Sequence, residues 1–178
     1  MVVELTGAQI VELIGQQFRA DGSYNHISFS SNLTYTYDPA TATVLDVYLG
    51  GAPIDLEASY GLITYAFLAT GTTGFPVFLD AASVTDTGRI DLDMFRDAFA
   101  PSIDGEPVMP DFARRSVQLI GAPDAAVAPG ATVEFELGDL DLTSAGAPLA
   151  QTVRAALVSA DGERVDLGEF AAADGAVA

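Results

Sequence analysis

The stretch Phe67-Leu-Ala-Thr-Gly-Thr-Thr-Gly-Phe75-Pro-Val-Phe78 contains the most distinctive loop of the chain. An almost unbroken apolar run, residues 60–69, leads into it, and polar residues do not alternate with the apolar ones. This pattern predicts a strand that is buried on both faces. Gly71 and Gly74 flank two threonines, so the backbone can turn sharply there and approach a ligand closely.

Phe75 ends the loop, and two roles are open for its ring. It could present one face to a flat partner, because a ring at the end of a turn is held in a defined position. It could equally be a core residue that caps the buried strand, which is the default environment of an aromatic side chain. Phe78, three residues later, is predicted to pack inward.

The residues before the loop predict a strand, a helix and then further strands. Residues 2–5 form a short apolar run, and Thr6 is predicted to cap the helix that follows. Residues 27–37 alternate between apolar and polar side chains, which predicts a strand with one solvated face. Residues 45–56 predict a hairpin that turns over residues 50–53 and returns over residues 54–56. The apolar face of the first helix is predicted to comprise Ile10, Leu13, Ile14 and Phe18.

The residues after the loop predict one more helix and then only strands. A helix is predicted from about Asp91 to Phe99, with Leu92, Phe95 and Phe99 facing the core. Residues 114–120 predict the last strand of an α+β domain, residues 1–120, in which helices flank a mixed sheet. From residue 121 onward short alternating runs predict a small β-sandwich-like module, residues 121–178, with a frayed tail from Ala171.

Composition excludes several classes of function. The chain has 178 residues, of which 49% are hydrophobic, so it can bury a substantial core. It carries a net charge of −18, and all seven basic residues are arginine. Such a charge repels phosphate backbones and anionic lipid, so we expect neither nucleic-acid binding nor membrane binding. No apolar run is long enough to span a bilayer, and Met1 is not followed by the basic segment of a signal peptide. Cysteine is absent, which excludes disulfides and thiolate metal sites.

Four segments then occur in a familiar order: a strand with the helix Thr6-Gly-Ala-Gln-Ile-Val-Glu-Leu-Ile14, the run Ser31-Asn-Leu-Thr-Tyr-Thr-Tyr-Asp38, a hairpin around Gly51, and the segment from Tyr60 to Phe75. This order resembles the C-terminal, substrate-specificity domain of the 5′-nucleotidase and UDP-sugar hydrolase family. The resemblance covers about residues 1–120. Its most specific part is the loop Phe-Leu-Ala-x-Gly-x-x-Gly-Phe.

The resemblance implies a nucleotide-binding role for named residues. The family loop usually reads Asn-Gly-Gly-Asp-Gly-Phe or Tyr, and its closing aromatic stacks on the nucleobase, so Phe75 would be the stacking residue. An acidic residue shortly after the loop contacts the ribose, and Asp80 is the nearest match. Gly71 and Gly74 would shape the substrate loop. The sequence departs from the family at three threonines, Thr70, Thr72 and Thr73, which replace Asn, Gly and Asp.

The resemblance also implies that part of the parent enzyme lies elsewhere. The second stacking aromatic, the phosphate-binding arginine and the metallophosphatase domain with its divalent metals precede the matching region in the family. We therefore expect a domain that is truncated at its N-terminal side, a chain that binds no cofactor itself, and no hydrolysis by the chain alone. The parent would be a secreted or cell-surface hydrolase of nucleotide catabolism, and this chain a fragment of it.

The residues themselves contain no strong catalytic motif. His26 is the one histidine, and a loop histidine without a neighbouring ligand more often lies in water than binds a metal. No Gly-x-Ser-x-Gly elbow occurs, and the loop lacks the lysine of a phosphate-binding P-loop. Arg114 and Arg115 could contact phosphate, or could form a solvated pair next to Asp111. Asp91 and Asp93 could bind calcium, but the EF-hand spacing and its terminal Glu are absent.

Two other readings of the chain stay open. The threonine replacements in the loop are compatible with a surface interaction or adhesion module that keeps the scaffold without binding nucleotides. Alternatively, the truncated domain could present an open sheet edge that pairs with a second copy of the chain to form a homodimer.

Overall fold

The computed structural model describes residues 1–100, 109, 111–123, 127–128, 130–142, 144–158 and 163–172. The described part is an α+β protein with a mixed sheet, which confirms the predicted fold class. The frayed tail was predicted from Ala171, and residues 173–178 of it lie outside the described residues. Within the described ranges, no helix combines the length and the apolarity that crossing a membrane requires.

The described elements comprise strands, three α-helices and one 3₁₀ helix. The helices are α1 (Gly7–Gly15), α2 (Ala66–Ala69) and α3 (Asp91–Phe99), and the 3₁₀ helix is Pro76–Asp80. The strands are β1 (Val2–Thr6), β2 (Leu33–Asp38), β3 (Thr43–Leu49), β4 (Ala52–Pro53), β5 (Ser59–Ile63), β6 (Ser83–Thr85), β7 (Ser116–Ile120), β8 (Glu136–Gly138), β9 (Thr152–Val158) and β10 (Arg164–Ala171).

The strands of the described residues form three sheets. The first has the order β5-β1-β6 and is antiparallel throughout. The second has the order β4-β3-β2-β7-β8, in which β2 and β7 are parallel and the other pairs antiparallel. The third is the antiparallel pair β9 and β10, with a register irregularity between Asp166 and Gly168. The predicted hairpin is confirmed as the pairing of β3 with β4, but its returning strand is Ala52–Pro53 and not residues 54–56.

The chain folds into two compact units whose segments alternate along the sequence. Unit 1 comprises Met1–Ile27 and Asp55–Asp111, and unit 2 comprises Ser28–Ile54 and Phe112–Ala178. Strand β8, from the predicted β module, pairs with β7 in the sheet of unit 2. The predicted domain boundary between residues 120 and 121 stays a prediction.

The core of unit 1 forms where α1 covers the first sheet and the 3₁₀ helix. Thr6 caps α1 through a capping box: its hydroxyl accepts from the N–H of Gln9, and the Gln9 side chain accepts from the N–H of Thr6. The predicted cap is therefore confirmed, as is the inward packing of Phe78. The core residues are each at most 2% exposed: Val3, Leu5, Ile10, Leu13, Ile14, Phe75, Val77 and Phe78. Burial of each large apolar side chain stabilises the unit by roughly 1.5–3 kcal/mol.

A buried amide connects the end of α1 to the next loop. Gln17 is fully buried, and its Nε2 donates to the carbonyl of Ile14 at 3.1 Å. Its Oε1 accepts from the N–H of Ile27 at 2.9 Å and from the hydroxyl of Tyr24 at 3.2 Å. The amide thereby fixes residues 24–27 against the helix end.

The prediction of a doubly buried strand over residues 60–69 is wrong. Strand β5 ends at Ile63, and a turn leads into the short helix α2. The side chains of β5 alternate between half-buried and exposed, since this edge strand pairs with β1 alone. Tyr65 and Phe67, which the apolar run placed in the core, are 54% and 58% exposed.

The helix predicted over residues 91–99 is confirmed in its bounds but not in its packing. Helix α3 contains no buried residue, and Phe95 is 62% exposed. The helix is amphipathic, but among the described residues no element covers its apolar side. The prediction that Leu92, Phe95 and Phe99 face the core is therefore wrong.

Unit 2 has its core on strand β2. The side chains of Leu33, Tyr35, Tyr37 and Val47 are buried, so the predicted alternation is correct from Leu33 onward. The strand begins at Leu33 rather than at Ile27, because a turn in which the N–H of Leu33 donates to the carbonyl of Ser30 precedes it.

A polar cluster lies at the end of β2. The hydroxyl of Tyr37 accepts from Gln118 Nε2 at 3.1 Å and donates to Asp139 Oδ2 at 3.5 Å. Arg114 forms an ion pair with the Asp139 carboxylate and also donates to its carbonyl at 2.7 Å. Burial raises the pKa of the Tyr37 hydroxyl; the Gln118 hydrogen bond opposes this effect, and the negative charge of Asp139 adds to it.

We predict that alkaline pH destabilises unit 2 through Tyr37. The pKa is raised only in the folded state, so between the ordinary tyrosine value, about 10, and the folded value the unfolded chain loses its proton first. The contribution of Tyr37 to the free energy of unfolding is therefore fully present below about pH 10 and decreases as the pH rises further. Chemical unfolding at pH 9 and pH 11 should show a smaller loss for Tyr37→Phe than for wild type. Burial also raises the pKa of Tyr48, so part of the loss of stability with rising pH should remain in the Tyr37→Phe variant. If stability fell between pH 9 and pH 11 by the same amount in Tyr37→Phe as in wild type, Tyr37 would not be the group responsible.

Candidate functional site

The Gly-Thr-Thr-Gly loop turns at its two glycines, both of which have positive φ. Gly71 has a φ of 68° and Gly74 a φ of 93°, a region that side chains other than glycine rarely adopt. A Cβ on Gly71 would lie 2.6 Å from Cγ of Leu79, and a Cβ on Gly74 would overlap the guanidinium of Arg19. The close approach for which these glycines are needed is thus an approach to two side chains of unit 1.

Three amide side chains form hydrogen bonds with backbone groups of the loop and of the 3₁₀ helix. Asn25 Nδ2 donates to the carbonyl of Thr73 at 3.2 Å. Gln16 Oε1 accepts from the N–H of Val77 at 3.3 Å, and Gln9 Nε2 donates to the carbonyl of Asp80 at 2.8 Å. The loop is therefore anchored at one point and the 3₁₀ helix at two, to α1 and to the residues that follow it.

The three threonines that distinguish this loop differ in hydrogen bonding. Thr70 Oγ1 donates to the carbonyl of Phe67 at 2.7 Å and lies 2.9 Å from Thr72 Oγ1. Thr73 Oγ1 is buried and has no hydrogen-bond partner within the described part of the chain. An unsatisfied buried hydroxyl costs about 1–3 kcal/mol.

Phe75 is 2% exposed and lies in the core of unit 1. It precedes the 3₁₀ helix, where its carbonyl accepts from the N–H of Phe78 at 3.3 Å. In this conformation the ring presents no face to solvent. Its role as a base-stacking surface therefore stays a prediction.

Asp80 ends the 3₁₀ helix with an exposed side chain. Its backbone carbonyl is bound by Gln9, so the position of the residue is fixed while the carboxylate faces solvent. Phe75, Asp80, Gly71 and Gly74, the four residues that the sequence predicted as substrate-binding, thus belong to one short segment of unit 1.

The other candidate residues lie elsewhere or have structural contacts. His26 is exposed, and its Nδ1 lies 3.4 Å from the hydroxyl of Tyr24. Arg114 is bound to Asp139 in unit 2. Asp91 accepts from the N–H of Leu92, and Asp93 pairs with Arg96 at 3.8 Å. Among the described residues, no group of three or more His, Cys, Asp or Glu side chains is arranged to hold a metal ion.

An exposed aromatic surface next to the loop was not predicted. The rings of Tyr65 and Phe67 stack with centroids 5.5 Å apart and an interplanar angle of 15°. They line a mainly apolar cavity of about 710 Å³ in unit 1, together with Ile63, Ile90 and Phe95. Thr64, the one polar residue between Gly61 and Thr70, was the available signal that the strand ends before these rings.

These contacts define an α+β unit in which hydrogen bonds from side-chain amides attach the Gly-Thr-Thr-Gly loop and a 3₁₀ helix to the core. Residues 1–80 match the family model described as 5′-nucleotidase, C-terminal domain. This match confirms the resemblance over residues 1–80 and ends on Asp80, the last residue of the 3₁₀ helix, while the extension to about residue 120 stays a prediction. The match supports a substrate-binding role for residues 1–80. A comparison with curated proteins finds no match.

We predict that Thr73→Val stabilises unit 1 by about 1 kcal/mol, because it removes an unsatisfied buried hydroxyl at nearly constant volume. Chemical unfolding of the variant and of wild type measures the change. Thr72→Val is the matched control and should be neutral or slightly destabilising, since the Thr72 hydroxyl has a partner in Thr70. A loss of stability in Thr73→Val would show that its hydroxyl is satisfied in solution.

Proposed function

We propose that unit 1 is the nucleoside-binding, substrate-specificity part of a 5′-nucleotidase-like phosphoesterase. Hydrolysis would be carried out by a metallophosphatase domain outside this sequence, which would hold the divalent metals. The observation that supports this proposal is the family match of residues 1–80, which includes the whole loop and the 3₁₀ helix after it.

Asp80 is proposed to bind the sugar. An exposed carboxylate accepts hydrogen bonds from two neighbouring hydroxyls, and charge-assisted bonds of this kind are stronger than neutral ones. The bond from Gln9 to the Asp80 carbonyl holds the residue in place before the ligand arrives, which lowers the entropy cost of binding.

Phe75 is proposed to stack on the base. Because the ring is buried, stacking requires the loop of residues 70–74 to move away from it. The loop is connected to the rest of unit 1 mainly through the carbonyl of Thr73, so few hydrogen bonds have to break. Binding energy from base and sugar would then position the phosphate at the metals of the catalytic domain. The isolated chain is expected to release no phosphate from a nucleotide.

We predict that Asp80→Asn weakens adenosine binding about tenfold, because a hydrogen bond to a charged acceptor contributes roughly 1.5–3 kcal/mol. Isothermal titration measures the affinity. Binding of 2′,3′-dideoxyadenosine, which lacks both hydroxyls, should not change. Asp86→Asn removes the same charge from the same unit and is expected to leave both affinities unaltered. Equal losses for the two nucleosides would mean that Asp80 does not contact the sugar.

We predict that Phe75→Leu lowers nucleoside affinity at least about fivefold, because stacking on a base contributes roughly 1–3 kcal/mol. Phe78→Leu is the matched control: Phe78 is equally buried and lies in the 3₁₀ helix that Phe75 precedes, so the two variants should lose similar stability. Only Phe75→Leu should lose affinity. Equal binding by both variants would assign Phe75 to the core alone.

An interaction module is the second candidate, favoured by the exposed aromatic cavity. Tyr65, Phe67 and Phe95 are more than half exposed, and Asp86 and Asp91 line the same cavity. This combination fits a partner with an apolar surface bordered by basic residues. If wild-type chain bound none of adenosine, guanosine, inosine and UDP-glucose, the nucleoside proposal would be wrong and this second candidate would be preferred.

A further inference from the structure

The guanidinium of Arg19 lies against the Gly-Thr-Thr-Gly loop. Its Nη2 is 3.5 Å from the carbonyl of Thr73, and it occupies the space that a Cβ on Gly74 would require. The side chain is otherwise exposed. Arginine has five N–H donors in a planar fork, so most of them remain available to a ligand at this loop.

Arg19 differs in its pairing from the other arginines of unit 1. Arg89 pairs with Asp97 at 2.9 Å, and Arg96 pairs with Asp93 at 3.8 Å. Arg19 is the one arginine in the described part of unit 1 that no ion pair engages. A positive charge that no ion pair engages, in a chain of net charge −18, is available for a ligand.

The nearest acidic neighbour in sequence, Asp21, is occupied. Its Oδ1 accepts from the Ser23 hydroxyl at 2.6 Å and from the Ser23 N–H at 2.9 Å. These two hydrogen bonds are the main reason that the pKa of Asp21 is lowered, and the charge of Arg19 contributes less. The carboxylate is thus committed to Ser23.

The backbone of Arg19 is held by a tight turn. Its N–H donates to the carbonyl of Ser23, and its carbonyl accepts from the N–H of Gly22, both at 2.9 Å. The Phe18–Tyr24 bridge closes the same turn. The guanidinium therefore projects from a fixed point, and Gly74 leaves room for it beside the loop.

We propose that Arg19 is a specificity-determining residue that selects guanine and other 6-oxopurines. The inference rests on the proposed function, in which the base binds at Phe75 and the phosphate is held by another domain. Because Arg19 is held by the turn of residues 19–23 and not by the loop, its guanidinium would stay beside the base when the loop moves away from Phe75. Arginine binds the O6 and N7 acceptors of guanine with two parallel hydrogen bonds, whereas adenine presents the N6 donor at that edge and repels it.

The test compares guanosine, inosine and adenosine binding by isothermal titration. Inosine shares O6 and N7 with guanosine but lacks the N2 amine, so it isolates this edge. Wild type should bind guanosine and inosine alike and adenosine about fivefold or more weakly. Arg19→Met keeps most of the side-chain length but has no hydrogen-bond donors. Its affinities for guanosine and inosine should therefore fall to its affinity for adenosine. Arg19→Gln should favour adenosine, because glutamine pairs with N6 and N7 of adenine.

Arg89→Met is the matched control. It removes the same charge from unit 1, but Arg89 is paired with Asp97, so the preference for 6-oxopurines should persist. A preference that survives in Arg19→Met, or that Arg89→Met abolishes equally, would overturn the proposal. If Arg19→Met weakened GMP and AMP alike and left the nucleosides unchanged, Arg19 would bind phosphate instead and base selection would be wrong.

The two proposals fail in different ways. Nucleoside binding without dependence of the base preference on Arg19 would overturn only the role of Arg19. Absence of binding by all three nucleosides would overturn the nucleoside-binding function together with it.

Discussion

The packing of residues 75–78 beneath α1 determines the positions of the Gly-Thr-Thr-Gly loop and of Asp80. Phe75, Val77 and Phe78 are buried against the helix, while Asp80 at the end of the same 3₁₀ helix is exposed. Burial of three large side chains contributes several kcal/mol, far more than any single hydrogen bond of the loop. The loop before this segment and the carboxylate after it are thus both positioned by one apolar contact surface.

In addition to this apolar packing, hydrogen bonds fix the orientation of the loop and of the 3₁₀ helix. Gln9, Gln16 and Asn25 each bind a backbone group of the loop or of the 3₁₀ helix. Neutral amides provide these anchors without adding charge next to the exposed carboxylate of Asp80. Thr73 is the exception, since its hydroxyl is buried without a partner in the described structure. A loop that carries one unsatisfied group is held less firmly than its burial alone implies.

Local sequence signals predicted the parts of the fold that local physics controls. The cap at Thr6, the burial of Ile10, Leu13 and Ile14 on α1 and the alternation of Tyr35 and Tyr37 follow from residues three or four positions apart at most. Strand β5 and helix α3 could not be predicted in the same way. Apolar residues show that a segment can be buried, but whether another element covers them depends on residues distant in sequence.

The candidate site was predictable to a similar degree. The loop and its glycines were evident in the sequence, because only glycine adopts the required positive φ readily. Arg19 was not, since its contact with Gly74 spans more than fifty residues and arginine occurs on every kind of surface. The burial of Phe75 was one of two open alternatives, and the choice between them depends on tertiary packing that a single sequence does not contain. The pairing of Arg114 with Asp139 also escaped prediction, because these residues lie 25 positions apart.

The order of the two units along the chain has a consequence for folding. Strands β2 and β7 are neighbours in the sheet of unit 2, but the second segment of unit 1, residues 55–111, lies between them in sequence. Closing so long a loop costs entropy, and this cost falls when the intervening residues are already compact. The strand pair can therefore form most readily after the inserted segment has joined β1 and α1. During synthesis the Gly-Thr-Thr-Gly loop would be complete before the larger sheet could close, and no single cut in the sequence would separate the two units intact.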